Sequence, residues 1–189
     1  MRGRVASVCA AEGVTLTPAG MDAVVTLGGG DMRRTLNILQ ATAMAVIGGG
    51  SGGGNGGGGG GGSADQPSTT AAAAGPTVDG PAVYATTGTP PPADIEAFAR
   101  LLLNAAFADA LDAVAADCAA KGYALVDIVG GLLPLTQRLA MPPSVRGALI
   151  IALADVEAAL AAGVSERLQL GALVGAFAVA REGIVAAAV

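Results

Sequence analysis

Apolar residues recur at helical spacing in two blocks of the chain, and between them lies a long stretch with almost none. In the first block, Val5 to Ala11 predicts a short helix ending near Gly13. Thr17 followed by Pro18 is the cap and first-position pair of a second helix through Leu27, which Gly28, Gly29 and Gly30 break. Asp31 opens a third, MRRTLNILQATAMAVI, which sets Leu36, Leu39, Ala43 and Val46 on one stripe with Ile38 at its margin. Residues 1–47 are expected to form a small unit of three helices.

From Gly48 to Gly62 the chain reads GGGSGGGNGGGGGGG, and a segment rich in Ser, Thr, Ala and Pro continues to Gly80. Little there can bury apolar surface, so residues 48–80 are expected to be a disordered linker. As a flexible coil it would span on the order of 30 Å and tether two folded parts without fixing their orientation. A phosphate-cradling loop is the other use of clustered glycines, but it needs Gly-Lys followed by Ser or Thr at the mouth of a helix. The one lysine, Lys121, follows Ala120.

Helical spacing resumes beyond this segment. Pro92 leads a helix from Asp94 to Leu103, Phe107 to Ala120 forms a second that stops at Gly122, and Ala124 to Leu139 a third that Pro134 should kink or divide. Pro143 opens a helix to Ala162, stopped by Gly163, and Ser165 caps a last one to about Ala187. Residues 81–189 are expected to hold a five-helix bundle, and the chain as a whole to be all-α. In the last helix Leu168, Leu170, Leu173, Val174, Phe177 and Val179 cover most of the cylinder. Such a helix is central to a bundle or packs on another subunit. Its charge-free apolar stretch, Leu168 to Ala180, has 13 residues against the roughly 20 of a bilayer span, so no membrane helix or membrane partner is expected.

Composition narrows the chemistry. Of 189 residues 52% are hydrophobic and 13% charged, and there is no histidine. That excludes Ser-His-Asp and Cys-His nucleophiles and any His-ligated zinc or iron. Cys9 and Cys118 are too far apart for a CxxC or metal-binding pattern, which fits a reducing intracellular setting. The start, MRGRVASVCAAEG, lacks the long apolar core of a signal peptide. Net charge is -5, yet residues 1–47 carry four arginines against three acids. An anion site is therefore to be sought there.

One cluster fits that description: Gly28, Gly29, Gly30, Asp31, Met32, Arg33 and Arg34 at a helix start. Free backbone N–H groups and the helix dipole favour anions at such a position, and an arginine on the first turn offers a phosphate a forked pair of donors. The same residues also read as an aspartate cap followed by two solvated arginines. The acids Asp109, Asp112, Asp117, Asp155 and Glu157 have no partner acid or metal ligand at a useful spacing, and solvated helix faces account for them. Neither a catalytic residue nor a metal site is expected.

EGVTLTPAGMDAVVTLGGGDMRRTLNILQATAMA (Glu12 to Ala45) resembles the lid region of the replication factor C small subunits, the eukaryotic and archaeal sliding-clamp loaders. KGYALVDIV (Lys121 to Val129), MPPSVR (Met141 to Arg146) and LADVEAALAAGVSERLQLGALVGAFAVARE (Leu153 to Glu182) resemble the C-terminal collar of the same family, in the same order.

That resemblance implies a lid (residues 1–47) and a collar (residues 81–189) of an AAA+ ATPase subunit. It implies Arg33 as the sensor-2 arginine that reaches the phosphates of ATP, ahead of its neighbour Arg34. It implies assembly through residues 92–189 with other replication factor C subunits, a sliding clamp and primer-template DNA as partners of the assembled complex, and a nuclear location. The family joins lid to collar by a short loop, where this chain has its glycine run. The Walker A lysine, the Walker B acids, sensor 1 and the Ser-Arg-Cys arginine finger have no counterpart in this sequence. ATP with magnesium is expected of a full-length subunit, and neither hydrolysis nor tight ATP binding of these residues alone. The alternative reading is a free-standing helical interaction module without ATPase function.

Because the helical C-terminal block is acidic and has no basic stripe, the 189-residue chain should bind primer-template DNA only weakly at physiological salt. Fluorescence anisotropy checks this, and tight binding that falls steeply with salt would contradict it.

Overall fold

A computed structural model describes residues 1–49 and 75–187 of the chain. Among these the fold is all-α, apart from a pair of two-residue strands, and it divides into two compact units, residues 1–87 and 88–189.

In the first unit α1 (Arg2–Glu12) stops at Gly13, which takes the left-handed conformation (φ +66°) that ends helices without side-chain strain. The strand β1 (Thr15–Leu16) follows, then α2 (Pro18–Gly28), capped as expected by the Thr17 hydroxyl accepting from Gly20 N at 3.0 Å. Next comes α3 (Met32–Gly49), whose Leu39 and Ala43 join Val5, Cys9 and Val24 in a small core. Leu36, Ile38 and Val46 are half-buried on its flanks.

The expected layout fails at the next element. Thr77–Val78 forms β2, which pairs in parallel with β1 in the register Thr15 to Thr77 and Leu16 to Val78. A fourth helix, α4 (Gly80–Thr87), follows and packs on α2 and α3. Val78 and Val83 are fully buried in the first core. Residues 75–87, expected as the end of a linker and the start of the second block, thus belong to the first unit. The physical reason is that Val78 and Val83 are the only large aliphatic residues near this end of the segment, and the α1–α3 core takes both. Gly49 and Gly75, the described residues on either side of the run, both belong to the first unit. The run itself, residues 50–74, lies outside the described residues.

The second unit holds the five expected helices: α5 (Pro92–Asn104), α6 (Phe107–Lys121), α7 (Leu125–Arg138), α8 (Pro143–Ala161) and α9 (Glu166–Ala187). Its core gathers Phe98 and Leu102 of α5, Val114 of α6, Ile128 and Leu132 of α7, Leu149 and Leu153 of α8, and Leu173, Val174 and Phe177 of α9. Pro134 does not divide α7. Both it and Gly130, whose carbonyl it leaves without an amide, are exposed, so water can satisfy that group. The Ser165 side chain makes no hydrogen bond among the described residues, and its carbonyl accepts from Leu168 N and Gln169 N instead.

By length and composition α9 is apolar enough to cross a membrane, which the 13-residue stretch did not suggest, because the helix runs on past Arg181. Its Leu173, Val174 and Phe177 are instead buried among the other helices of the unit. Arg181 Nη1 donates to Ala105 O at 2.6 Å, closing the C-terminal end of α5. At the other end, Glu166 Oε1 accepts from Leu125 N at 2.7 Å, closing the N-terminal end of α7. Arg146 Nη2 likewise donates to Leu139 O at 2.9 Å, at the end of α7. All three place a charge where the helix dipole favours it.

Asp94 at the start of α5 accepts from Lys121 Nζ at 2.9 Å and Tyr123 Oη at 2.8 Å. The bond from Lys121, joined by that from Tyr123, holds the Asp94 carboxyl below its ordinary value.

Close approach requires glycine at Gly20 of the first unit, against the backbone of β2. A Cβ on Gly20 would stand 2.5 Å from the Val78 carbonyl oxygen, whereas one on Gly3, within α1, would meet nothing within 4 Å. Gly20→Ala should destabilise the first unit by about 1–3 kcal/mol. Gly3→Ala should be neutral or stabilise it by up to about 1 kcal/mol. Thermal melts of the two variants check the contrast.

Candidate functional site

The glycine-aspartate-arginine cluster forms the turn between α2 and α3. Gly29 (φ +59°) and Gly30 (φ +91°) reverse the chain in conformations that L side chains avoid. Gly28 is buried at the end of α2, and the Thr35 hydroxyl stands where its Cβ would be. That hydroxyl donates to Asp31 O at 2.7 Å within the first turn of α3, and the fully buried Thr35 side chain packs on Gly28 at the end of α2. Arg33 and Arg34 project from this turn and are exposed, with no ion pair among the described residues.

The backbone donors of this helix start are not free. Asp31 Oδ1 accepts from Arg33 N at 2.8 Å and from Arg34 N at 3.3 Å. A phosphate at this point would meet the guanidinium groups, since an internal carboxylate already occupies two of the amides. The turn therefore suits a single forked contact to an anion held mainly by something else, and not a complete anion cradle.

Asp109, Asp112, Asp117, Asp155 and Glu157 are exposed on helix faces, and no group of acids and cysteines among the described residues could hold a metal ion.

The second unit presents apolar surface. Val179 of α9, 68% exposed, lines a shallow groove between α8 and α9 with Ala148, Ala152, Gly175 and Ala176, and Ile151 of α8 is a further exposed aliphatic residue, at 63%. Small side chains on both helices leave room there for another helix or side chain to approach closely. Sequence reasoning missed the charged side chains that close helix ends within this unit. Glu166 reaches 41 positions to its partner and Arg181 reaches 76, so no local pattern could reveal them.

Residues 90–176 match the replication factor C C-terminal domain. Similarity runs well beyond that block: the chain is 35% identical over 188 residues, its whole length, to replication factor C subunit 3 of Oryza sativa subsp. japonica. The chain is thus similar to replication factor C small subunits over both units. At the same 35% identity it matches replication factor C subunit 5 of Arabidopsis thaliana, over 188 residues, and of Homo sapiens, over 185 residues or 98% of this chain. The chain spans 44–46% of the length of these three relatives. Both units, and the α2–α3 turn with them, lie within the region shared with these relatives.

Removing the Asp31 side chain should release the two amides and cost the first unit about 1 kcal/mol, as the loss of an N-cap does, while Asp31→Asn should restore most of that stability. Thermal melts followed by circular dichroism of Asp31→Ala, Asp31→Asn and the parent chain check the order.

Proposed function

We propose that this chain supplies the lid and the collar of a replication factor C small subunit. In this reading the three helices of residues 1–47, completed by β2 and α4, are the lid, and Arg33 reaches from it to a phosphate of bound ATP, with Arg34 as the secondary candidate. Residues 92–189 are the collar and join other replication factor C subunits. The assembled complex loads a sliding clamp onto primer-template DNA in replication and repair, in the nucleus.

The observation that carries this reading is similarity to replication factor C small subunits across both units, where a match to the second unit alone would have supported only the collar. Two structural features support it. The exposed apolar face of α8 and α9 suits association with another helical surface. Gly49 and Gly75, on either side of the glycine run, both lie in the first unit, which agrees with the short join from lid to collar that the family resemblance implies.

The fit to ATP is partial. Arg33 offers one forked contact, but Asp31 fills the neighbouring amides and no magnesium ligand set exists among the described residues. The 189 residues contain no GxxxxGK[ST] segment. ATP supplies the free energy of the loading cycle when bound, and within this chain the part played by Arg33 is to hold a phosphate oxygen by charge-assisted hydrogen bonds.

The decisive experiment mixes the tagged 189-residue chain with the other replication factor C subunits at physiological salt and measures which are recovered. A variant with Ile151→Glu and Val179→Glu, both on exposed positions, runs alongside. Recovery by the parent chain, lost in the variant although its helical signal is unchanged, is the expected result. A folded parent chain that recovers none would favour the free-standing interaction module instead.

A further inference from the structure

A second groove of the collar unit differs from the α8–α9 face in its charge. It lies where the end of α6 and the start of α7 meet the first turn of α9, with a volume of about 520 Å³. Its floor is core: Leu125 is 2% and Leu170 is 6% exposed, and Cys118 is half-buried beside them. Ala115 and Ala116, both exposed, form one wall, and their single methyl groups leave the groove open where longer side chains would fill it.

The rim is acidic. Asp112 and Glu166 stand on it with Arg167 the one cation lining the groove, and Lys121 nearby is already paired with Asp94. Asp117 adds a further carboxylate: burial first, then Glu166 and Asp117, push the Cys118 thiol above its ordinary value. The Glu166 carboxylate does not swing freely, because Leu125 N holds Oε1 at 2.7 Å. An apolar floor under a partly fixed acidic rim is complementary to an apolar side chain flanked by cations. An acidic or neutral segment would bury the same apolar area without that attraction.

We infer that this α6–α7–α9 groove docks a basic amphipathic segment of a partner protein, with an aliphatic anchor on Leu125 and Leu170 and a lysine or arginine against Asp112 and Glu166. The inference does not depend on the clamp-loader reading, since it uses a different face and a different chemistry.

The test uses the full 189-residue chain and two fluorescein-labelled peptides: a short amphipathic helix of Leu, Ala and Lys, and the same peptide with Glu at every Lys. Anisotropy at physiological salt should show saturable binding of the lysine peptide alone. Ala115→Trp, which fills the groove from an exposed position, and Asp112→Lys, which reverses its rim, should each weaken binding about tenfold or more. The bound peptide should also slow alkylation of Cys118, read by mass spectrometry, and leave that of Cys9 in the other unit unchanged. Equal binding of both peptides, no binding, or binding of the lysine peptide that Ala115→Trp leaves intact would overturn the inference. The last of these would show only a general attraction to an acidic surface.

Discussion

The second unit depends on the burial of α9. Leu173, Val174 and Phe177 on this helix are at most 1% exposed, and each such side chain removed from water contributes about 1.5–3 kcal/mol. A helix this apolar would expose too much hydrocarbon by itself, so α5, α6 and α8 pack against it, and α7 completes the core against α5 and α8. Its few charges then fall near its ends, where they close other helices: Glu166 the start of α7, and Arg181 the end of α5. Apolar burial thus decides where α9 lies. The electrostatics of helix ends fix how its neighbours terminate against it.

The first unit is smaller and works under a different constraint. Three helices alone leave one side of its core open, and Val78 and Val83, which follow the glycine run, complete it. The short parallel pairing of β1 with β2 fixes the register of that return. Loop-closure entropy grows only slowly with length, so many residues can separate α3 from β2 without preventing that pairing.

At the α2–α3 turn, two requirements of one helix start compete. The first amides of α3 need acceptors, and an anion-binding site needs those amides free. Asp31 meets the first requirement and so limits the second, leaving the exposed guanidinium groups of Arg33 and Arg34 as the only strong anion donors at the turn. The division suits a contributing arm better than a self-sufficient pocket. It agrees with a chain that spans less than half of its relatives.

Most of the secondary structure was determined by the sequence itself. Thr17-Pro18, Pro92 and Pro143 at helix starts and Gly13 and Gly122 at helix ends act within one turn of the chain, so local chemistry suffices to read them. The family blocks around GDMRR and at Lys121 to Val129 were legible for the same reason. Tertiary structure alone decided three things. Val78 and Val83 went to the first core because that core lacked a wall, and neither the spacing nor the composition around them marks that need. Pro134 stayed inside α7 because solvent can serve the carbonyl it strands. Glu166 and Arg181 became caps because folding brought distant helix ends to them, and a hydrogen bond between residues 41 or 76 positions apart has no signature along the chain.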